Sequence, residues 1–339
     1  MNIQTNISIK NLTTMRLGGN AKIVAEVETK DDLVEIVNQS KSEKQKIFVI
    51  GGGSNIVARD DGFDGIIIKM NIPGFKIIAN DETSAIIRIG AGENWDSVVE
   101  RVVQLGLSGI EAMSGIPGTA GAAPIQNVGA YGQEIADTLI SVEAFDIEKN
   151  DFVTLTKSDC RFSYRDSIFR SSASGKYIIT AIDIKLSKQT PKPPFYDSLQ
   201  KYLDEKNIHD FNVKNIRKAV LEIRDNKLPD PKYLASAGSF FKNAIVDNQT
   251  AEKLIEKFPD IKLHQTENGL FKVPSGWLIE RAGLKGKLIH GMRVYEKNAL
   301  VLVNESANSY SDLSAARQEI IDTIFEKFQI SIEQEPLEI

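Results

Sequence analysis

Residues 236–243 read Ser-Ala-Gly-Ser-Phe-Phe-Lys-Asn, and a serine between a glycine and two phenylalanines raises the question of whether its hydroxyl does chemistry. A serine acts as a nucleophile when a histidine and a carboxylate activate it, and a neighbouring glycine lets a ligand or a second backbone come close. Two observations weigh against that chemistry at Ser239. The stretch does not match the G-x-S-x-G elbow, and the three histidines, His209, His264 and His290, sit in no motif. Spacing alone leaves Ser239 as a nucleophile or a structural hydroxyl, and favours the second. The single Cys160 can neither close a disulfide within the chain nor build a thiolate cluster, so it reads as a small buried apolar group, and three scattered histidines make no transition-metal site.

Two glycine-rich stretches offer a different chemistry. Lys46-Ile-Phe-Val-Ile-Gly-Gly-Gly-Ser-Asn55 runs an apolar strand into three glycines followed by two side chains able to bond phosphate oxygens. Backbone N–H groups freed at such a turn form an anion nest. It is neither familiar phosphate loop: Ile56 stands where G-x-G-x-x-G needs its last glycine, and no Gly-Lys-Ser/Thr ending follows. A tight turn between strands is the plainer alternative. The second stretch, residues 114–132, reads SGIPGTAGAAPIQNVGAYG. So many glycines cost backbone entropy unless the segment wraps around something. A flexible linker is the competing reading, although Ile116, Pro117, Pro124, Ile125 and Tyr131 are too stiff or apolar for one. Two loops of this kind separated by a sheet and a helix suggest a dinucleotide, one loop on the pyrophosphate and the other along the remainder.

The elements that must position these loops follow from hydrophobic period. A helix is expected over Asp31–Ser40 and strands over Lys46–Ile50, Gly65–Met70, Ala85–Ile89, Ser141–Ile147, Phe152–Thr156 and Tyr177–Leu186. Between them a helix capped by Asn94 and stopped at Gly106 shows Val98, Val99, Val102 and Val103 on one face. The proline-rich Gln189–Phe195 breaks the pattern and marks a domain boundary. Beyond it, helices are expected near Val213–Arg224, Ala251–Phe258, Gly276–Ala282 and Ser311–Phe328, with a strand at Ala299–Val303. At 339 residues, two or three domains are the default. A net charge of -5 leaves no basic footprint for nucleic acid, though a local cationic pocket for a phosphorylated small molecule stays open. The start, MNIQTNISIKN, has neither an apolar signal core nor an arginine-rich amphipathic pattern, and no later apolar run spans a membrane, so a soluble cytoplasmic protein is expected.

Several motifs in order resemble one family. Asn11-Leu-Thr-Thr-Met-Arg-Leu-Gly-Gly19, the GGGSN loop, residues 114–132, Phe162-Ser-Tyr-Arg-Asp-Ser-Ile-Phe169, Lys227-Leu-Pro-Asp-Pro231 and AGSFFKN together look like the UDP-N-acetylenolpyruvoylglucosamine reductases. The resemblance implies an α+β chain: an FAD-binding domain of the vanillyl-alcohol-oxidase (PCMH) type in two subdomains, residues 1–70 and 71–190, then a smaller α/β substrate domain, 200–328, and a strand, 329–339, returning to the active site. It implies non-covalent FAD and NADPH as hydride donor, with the enolpyruvyl ether of UDP-N-acetylglucosamine reduced to UDP-N-acetylmuramate for peptidoglycan, in a monomer free of membrane. It assigns FAD to Gly51, Gly52, Gly53, Ser54, Asn55, Ser114, Gly115, Ile116, Pro117, Gly118, Gly121, Ala122, Gln126, Asn127, Gly129, Tyr131 and Arg224. It gives catalysis to Arg165, Ser239 and Glu335, and the nucleotide-sugar or nicotinamide to Tyr196, Lys227 and Asn243.

The chemistry wants these residue types. Hydride addition to the terminal vinyl carbon sends negative charge onto the next carbon and its carboxylate, which the planar donor fork of Arg165 can meet. The strongly basic carbon then needs a proton from a fixed side, and a neutral serine hydroxyl donates it without repelling the enolate, so Ser239 becomes a proton donor that needs no histidine. Plainer readings stand beside these: Arg165 paired with Asp166, Glu335 a solvated carboxylate. The family usually ends in a motif like Leu-Glu-Pro-Glu-Val-Arg-Phe, whereas here Ile332-Glu-Gln-Glu-Pro-Leu-Glu-Ile339 puts Leu337 where the arginine belongs and leaves Glu333 as a second candidate. That departure keeps open a non-catalytic flavin or nucleotide-sugar binding protein, and, more distantly, an oxidase that uses oxygen.

Overall fold

Strands Asn20–Val27, Phe63–Met70 and Lys46–Ile50 lie side by side in parallel, Phe63–Met70 in the middle, with Asn2–Ser8 added beside Asn20–Val27. This arrangement comes from a computed structural model that describes residues 1–266 and 268–339. The central strand is apolar on both faces, with Ile66, Ile67 and Ile68 fully buried, as a strand covered on both sides must be. Helix Lys30–Ser42 makes the crossover between two of the parallel strands. Thr29 caps it, its hydroxyl accepting from Asp32 N while the Asp32 carboxylate accepts from Thr29 N, both at 3.1 Å. Leu33, Ile36 and Val37 turn one face of that helix to the core.

A second sheet is antiparallel, in the order Asp151–Thr156, Leu139–Asp146, Tyr177–Ser187, Ser84–Gly90, Phe75–Asn80. Helix Trp95–Gln104 packs its valine face into the same core. Asn94 caps that helix as its sequence requires, accepting from Ser97 N at 3.0 Å. One apolar cluster runs from Ile36 and Ile66 through Ile87 and Val98 to Val142 and Ile182, so the two sheets share a single interior. Cys160 is fully buried in it, and burial pushes its thiol up to about 12, as suits a packing residue.

The chain forms two compact units, one of Met1–Ile7, Ala21–Gly53 and Phe63–Asn226, the other of Ser8–Asn20, Ser54–Gly62 and Lys227–Ile339. The prolines of 189–195 therefore lie inside the first unit, because the segment after them builds a further layer on it. Helices Asp197–Glu205 and Val213–Lys227 meet through Leu199, Leu203, Ile216, Val220 and Ile223. The second unit holds a sheet ordered Ser236–Ser239, Val301–Asn304, Met292–Val294, Leu288–Ile289 and a smaller one ordered Ala244–Val246, Phe271–Val273, His264–Gln265. Helix Tyr310–Phe328, capped by Ser309 with Asp312 in a capping box, closes over a core of Leu278, Leu302, Ile320 and Phe240. Among the described residues no helix is long and apolar enough to cross a membrane.

Candidate functional site

The two glycine loops meet in the first unit. The strand Lys46–Ile50 delivers Gly51 and Gly52 onto Gly118 and Thr119. A Cβ on Gly52 would lie 2.9 Å from Gly118 Cα, and one on Gly51 would collide with Thr119 Oγ1. At Gly52 backbone therefore packs on backbone, which only glycine allows, while Gly51 packs on the Thr119 side chain. The second loop is bound down along its length. Trp95 N donates to Gly118 O at 3.1 Å, Ala120 N to Glu93 O at 2.9 Å and Gly121 N to Ala91 O at 2.9 Å. Residues 120–126 are not an extended wrap but a 3₁₀ helix with Pro124 inside it, ending at Asn127 with φ 48°.

Some of the expected cofactor residues commit their side chains to the protein. Ser114 is fully buried and donates to Glu111 O at 2.6 Å, while Asn127 donates to Ser163 O at 3.2 Å and accepts from Ala136 N at 3.1 Å. Both brace the loop from within. Gln126 accepts from Arg170 at 2.6 Å. Exposure instead falls on Gly52 and Pro117, with Gly51, Ser54, Asn55, Gly115, Ile116, Gly118, Ala122 and Gly129 half-buried, which suits recognition by backbone.

A charged cluster underlies Gly115 that sequence reading largely missed. Gly115 N donates to Asp96 Oδ1 at 2.6 Å, and Arg217 grips both oxygens of Asp96 at 2.6 and 3.0 Å. Burial pushes the Asp96 carboxyl up, but the Arg217 and Gly115 bonds and the nearby Arg224 charge outweigh it and hold the group below the usual range. Arg224, expected at the cofactor, stands where a Gly115 Cβ would be 3.0 Å from its Nε. Desolvation lowers its pKa, offset by a hydrogen bond with the Tyr131 hydroxyl, whose own pKa burial raises. Tyr131 meets Tyr196 edge-to-face at 6.1 Å. Asp96 follows the Asn94 cap and Thr119 lies within the second glycine-rich stretch, so each had that much signal; Arg217 had none, since only the packing of distant segments gives it a partner.

Arg165 occupies a tight turn closed by Ser163 N to Asp166 O at 3.1 Å and Asp166 N to Ser163 O at 3.2 Å. Its φ of 54° is a left-handed conformation that an unbranched non-glycine residue adopts at a cost. The guanidinium lies over Tyr164 and donates to Gly129 O at 3.1 Å, which ties it to the second glycine loop.

In the second unit, Ser239 ends the strand Ser236–Ser239 at a bulge: Ser236 pairs with Val303 but Ser239 with Val301. Gly238 has φ 69° and open space where a Cβ would go, so it is glycine for its backbone angle. A bulge with a left-handed glycine re-aims the next side chain, and here that is the half-buried Ser239. Phe240 and Phe241, which follow the serine, point away from solvent. They are 0% and 1% exposed and lie in the core, where they anchor the strand. Phe240 O accepts from Glu335 N at 2.8 Å, which sets Glu335 beside this strand at 8% exposure. Glu333 is 78% exposed and faces Lys242 at 3.8 Å. Asn243 Oδ1 accepts from Ser275 N at 3.1 Å, capping helix Ser275–Arg281. Lys227 is exposed, and the Leu-Pro-Asp-Pro loop after it is held by Arg16, which donates to Pro231 O at 2.9 Å and Lys232 O at 2.7 Å.

Comparison with known proteins adds the following. A family model described as FAD binding domain matches residues 21–156, and one described as UDP-N-acetylenolpyruvoylglucosamine reductase, C-terminal domain, matches 230–339. The UDP-N-acetylenolpyruvoylglucosamine reductase of Flavobacterium johnsoniae is 39% identical over 336 residues, 99% of each chain. That of Neisseria gonorrhoeae is 38% identical over 324 residues, 95% of this chain and 93% of its own. The crystal structure of the Thermus caldophilus enzyme superposes over 100% of this chain and 99% of its own with TM-score 0.69 at 22% identity, a likeness of fold.

Proposed function

The chain belongs to the UDP-N-acetylenolpyruvoylglucosamine reductase family, and from that premise we propose how its residues divide the work. It is an FAD-dependent oxidoreductase that uses NADPH to reduce UDP-N-acetylglucosamine enolpyruvate to UDP-N-acetylmuramate in peptidoglycan precursor synthesis. The glycine cradle fits FAD, because a loop that brings Gly52 against the Gly118 backbone with no side chain between them leaves its N–H groups open to an anion. Residues 51–55 would hold the pyrophosphate, and 114–131 with Arg224 the rest. Bound there, FAD supplies a two-electron relay between NADPH and the vinyl group. We read the two sheets of the first unit as FAD-binding subdomains, 1–70 and 71–190, and 200–328 with the returning 329–339 as the part that takes the substrate.

Arg165 faces the substrate carboxylate and stabilises the charge that grows on it. Ser239 protonates the carbon next to that carboxylate, which fixes the stereochemistry. Glu335 hydrogen-bonds the enolic oxygen or orients the donor. Tyr196, Lys227 and Asn243 hold the nucleotide-sugar or the nicotinamide. One observation carries the reading: the bond from Glu335 N to Phe240 O sets a buried carboxylate next to the bulge that aims Ser239, while Glu333 points to solvent. Leu337 does not spoil this, since its N–H pairs with Asn55 O at 3.0 Å and keeps the segment in place. We place the enzyme in the cytoplasm, where nucleotide sugars and NADPH are made, as a monomer, so light scattering should return the mass of one chain. Purified protein should carry a flavin spectrum that bleaches with NADPH and recovers only with the enolpyruvyl substrate. Bleaching without that recovery would leave a binding protein, and recovery with oxygen alone an oxidase.

A further inference from the structure

Glu335 lies between two residues gripped by one arginine. Arg317, on helix Tyr310–Phe328, donates through one nitrogen to Gln334 Oε1 at 2.7 Å and Glu338 Oε2 at 3.1 Å, and through the other to Ser314 Oγ at 2.9 Å. Arg59 takes the remaining oxygen of the same carboxylate, its Nε at 2.8 Å and a terminal nitrogen at 2.5 Å from Glu338 Oε1. The Tyr310 hydroxyl also bonds Glu338, and both guanidinium groups lie 6.0 Å from the Tyr310 ring centre. All of these groups belong to the second unit.

The segment they hold has little regular structure of its own. Leu337–Glu338 is a two-residue strand paired in parallel with Ile56–Val57. Its backbone ties are few: Lys242 N to Glu333 O at 2.9 Å and Glu335 N to Phe240 O at 2.8 Å on one side, and Leu337 N to Asn55 O at 3.0 Å, Ile339 N to Val57 O at 3.1 Å and Arg59 N to Ile339 O at 2.8 Å on the other. Such a sparse ladder opens easily, and a charge-assisted fork is stronger and more directional than a neutral bond. Arg317 adds what the ladder lacks, because it ties the residue just before Glu335 and the residue three after it to one helix.

We propose that Arg317, Arg59 and Glu338 form a clamp that positions Glu335 for the reduction, with Glu338 a positioning residue that acts through the strand and not through the substrate. The clamp rests on the reading of Glu335 as a catalytic group. Glu338→Gln keeps the shape and removes the charge that both arginines grip. In the flavin-loaded enzyme it should leave bleaching by NADPH and the substrate KM unchanged and slow substrate-driven flavin reoxidation roughly tenfold, as a small misplacement does. Amide hydrogen exchange over 333–339 should rise. Arg317→Lys, which keeps charge but loses the fork, should change both readouts in the same direction. The decisive measurement is the double variant Glu335→Gln/Glu338→Gln, which should reoxidise no more slowly than Glu335→Gln alone. Wild-type reoxidation in Glu338→Gln, or a double variant slowed by the product of the two single effects, overturns the clamp. If Glu335→Gln itself reoxidises at the wild-type rate, the reading of Glu335 falls and the proposal with it. A clamp that fails on its own shows a slow Glu335→Gln beside a fast Glu338→Gln.

Discussion

The glycine cradle of the first unit and the Ser239 strand of the second solve opposite problems. The cradle, read as the cofactor site, is shaped by close packing: Gly51 and Gly52 lie against Gly118 and Thr119 so closely that a single Cβ would force them apart, and the side chains of Ser114 and Asn127 face inward to hold the shape. The Ser239 strand, as proposed, works with side chains. Its backbone supplies only aim, through the Gly238 bulge, and anchorage, through the buried Phe240 and Phe241. A site made of backbone tolerates almost no change in volume and no added charge of the ligand's sign; a site made of side chains fails on the loss of one group. Substitutions should separate the two.

The largest effect is expected at the side-chain site. Ser239→Ala should leave bleaching by NADPH near the wild-type rate while substrate-driven reoxidation falls by roughly 10²–10⁴-fold, the size of a general-acid contribution. Stopped-flow absorbance reads the two steps separately. If reoxidation is unchanged, or if bleaching is the step that fails, Ser239 is structural.

Next is the cradle. Gly52→Ala adds one methyl group against the rigid Gly118 backbone, an overpacking cost of about 1–3 kcal/mol, so FAD retention should weaken roughly tenfold to a hundredfold. An aspartate there would mix collision with charge, so Asn55→Asp is the cleaner test of phosphate contact: same shape, added negative charge, less FAD on gel filtration. Full FAD in both variants would mean the pyrophosphate lies elsewhere.

Lys227→Ala should raise the substrate KM roughly tenfold with kcat little changed, the low end for a charge-assisted bond because the ammonium is exposed. An unchanged KM would assign the diphosphate to other cations.

The smallest effect compares one carboxylate from each unit. Burial pushes both Asp96 and Glu338 up, but their donors win: Arg217 and Gly115 for Asp96, and Tyr310, Arg59 and Arg317 for Glu338. Each folded pKa is below the unfolded value, so each contribution is complete above that value and is lost as pH falls through the folded one. Asp96→Asn and Glu338→Gln should therefore melt below wild type at pH 7, and the gaps should narrow as pH falls below the ordinary carboxylate pKa of about 4 and through the lowered folded values. A gap that persists in acid would mean that packing and not charge was lost.

Much of the first unit was readable along the chain. The strand Lys46–Ile50 and the Asn94 cap form as the hydrophobic period and the capping rule predict, because short elements respond to neighbours a few residues away. The period was also present in helix Asp197–Glu205, with Leu199 and Leu203 four apart, but the prolines before it read as a boundary and hid it. The 3₁₀ turn at 120–126 was masked in the same way by the glycines around it.

The residue types needed for the reaction, the glycines of the cradle and the strand that feeds it were determined by the sequence itself, because each is a local property of composition and spacing. Tertiary structure alone decided which glutamate is buried, what Gly51 packs against, that Phe240 and Phe241 belong to the core, and that Arg59, Arg317 and Glu338 meet. Those outcomes join segments up to 279 residues apart, as between Arg59 and Glu338. No periodicity encodes such a pairing, because burial and charge partnership are settled only when distant strands and helices compete for the same interior.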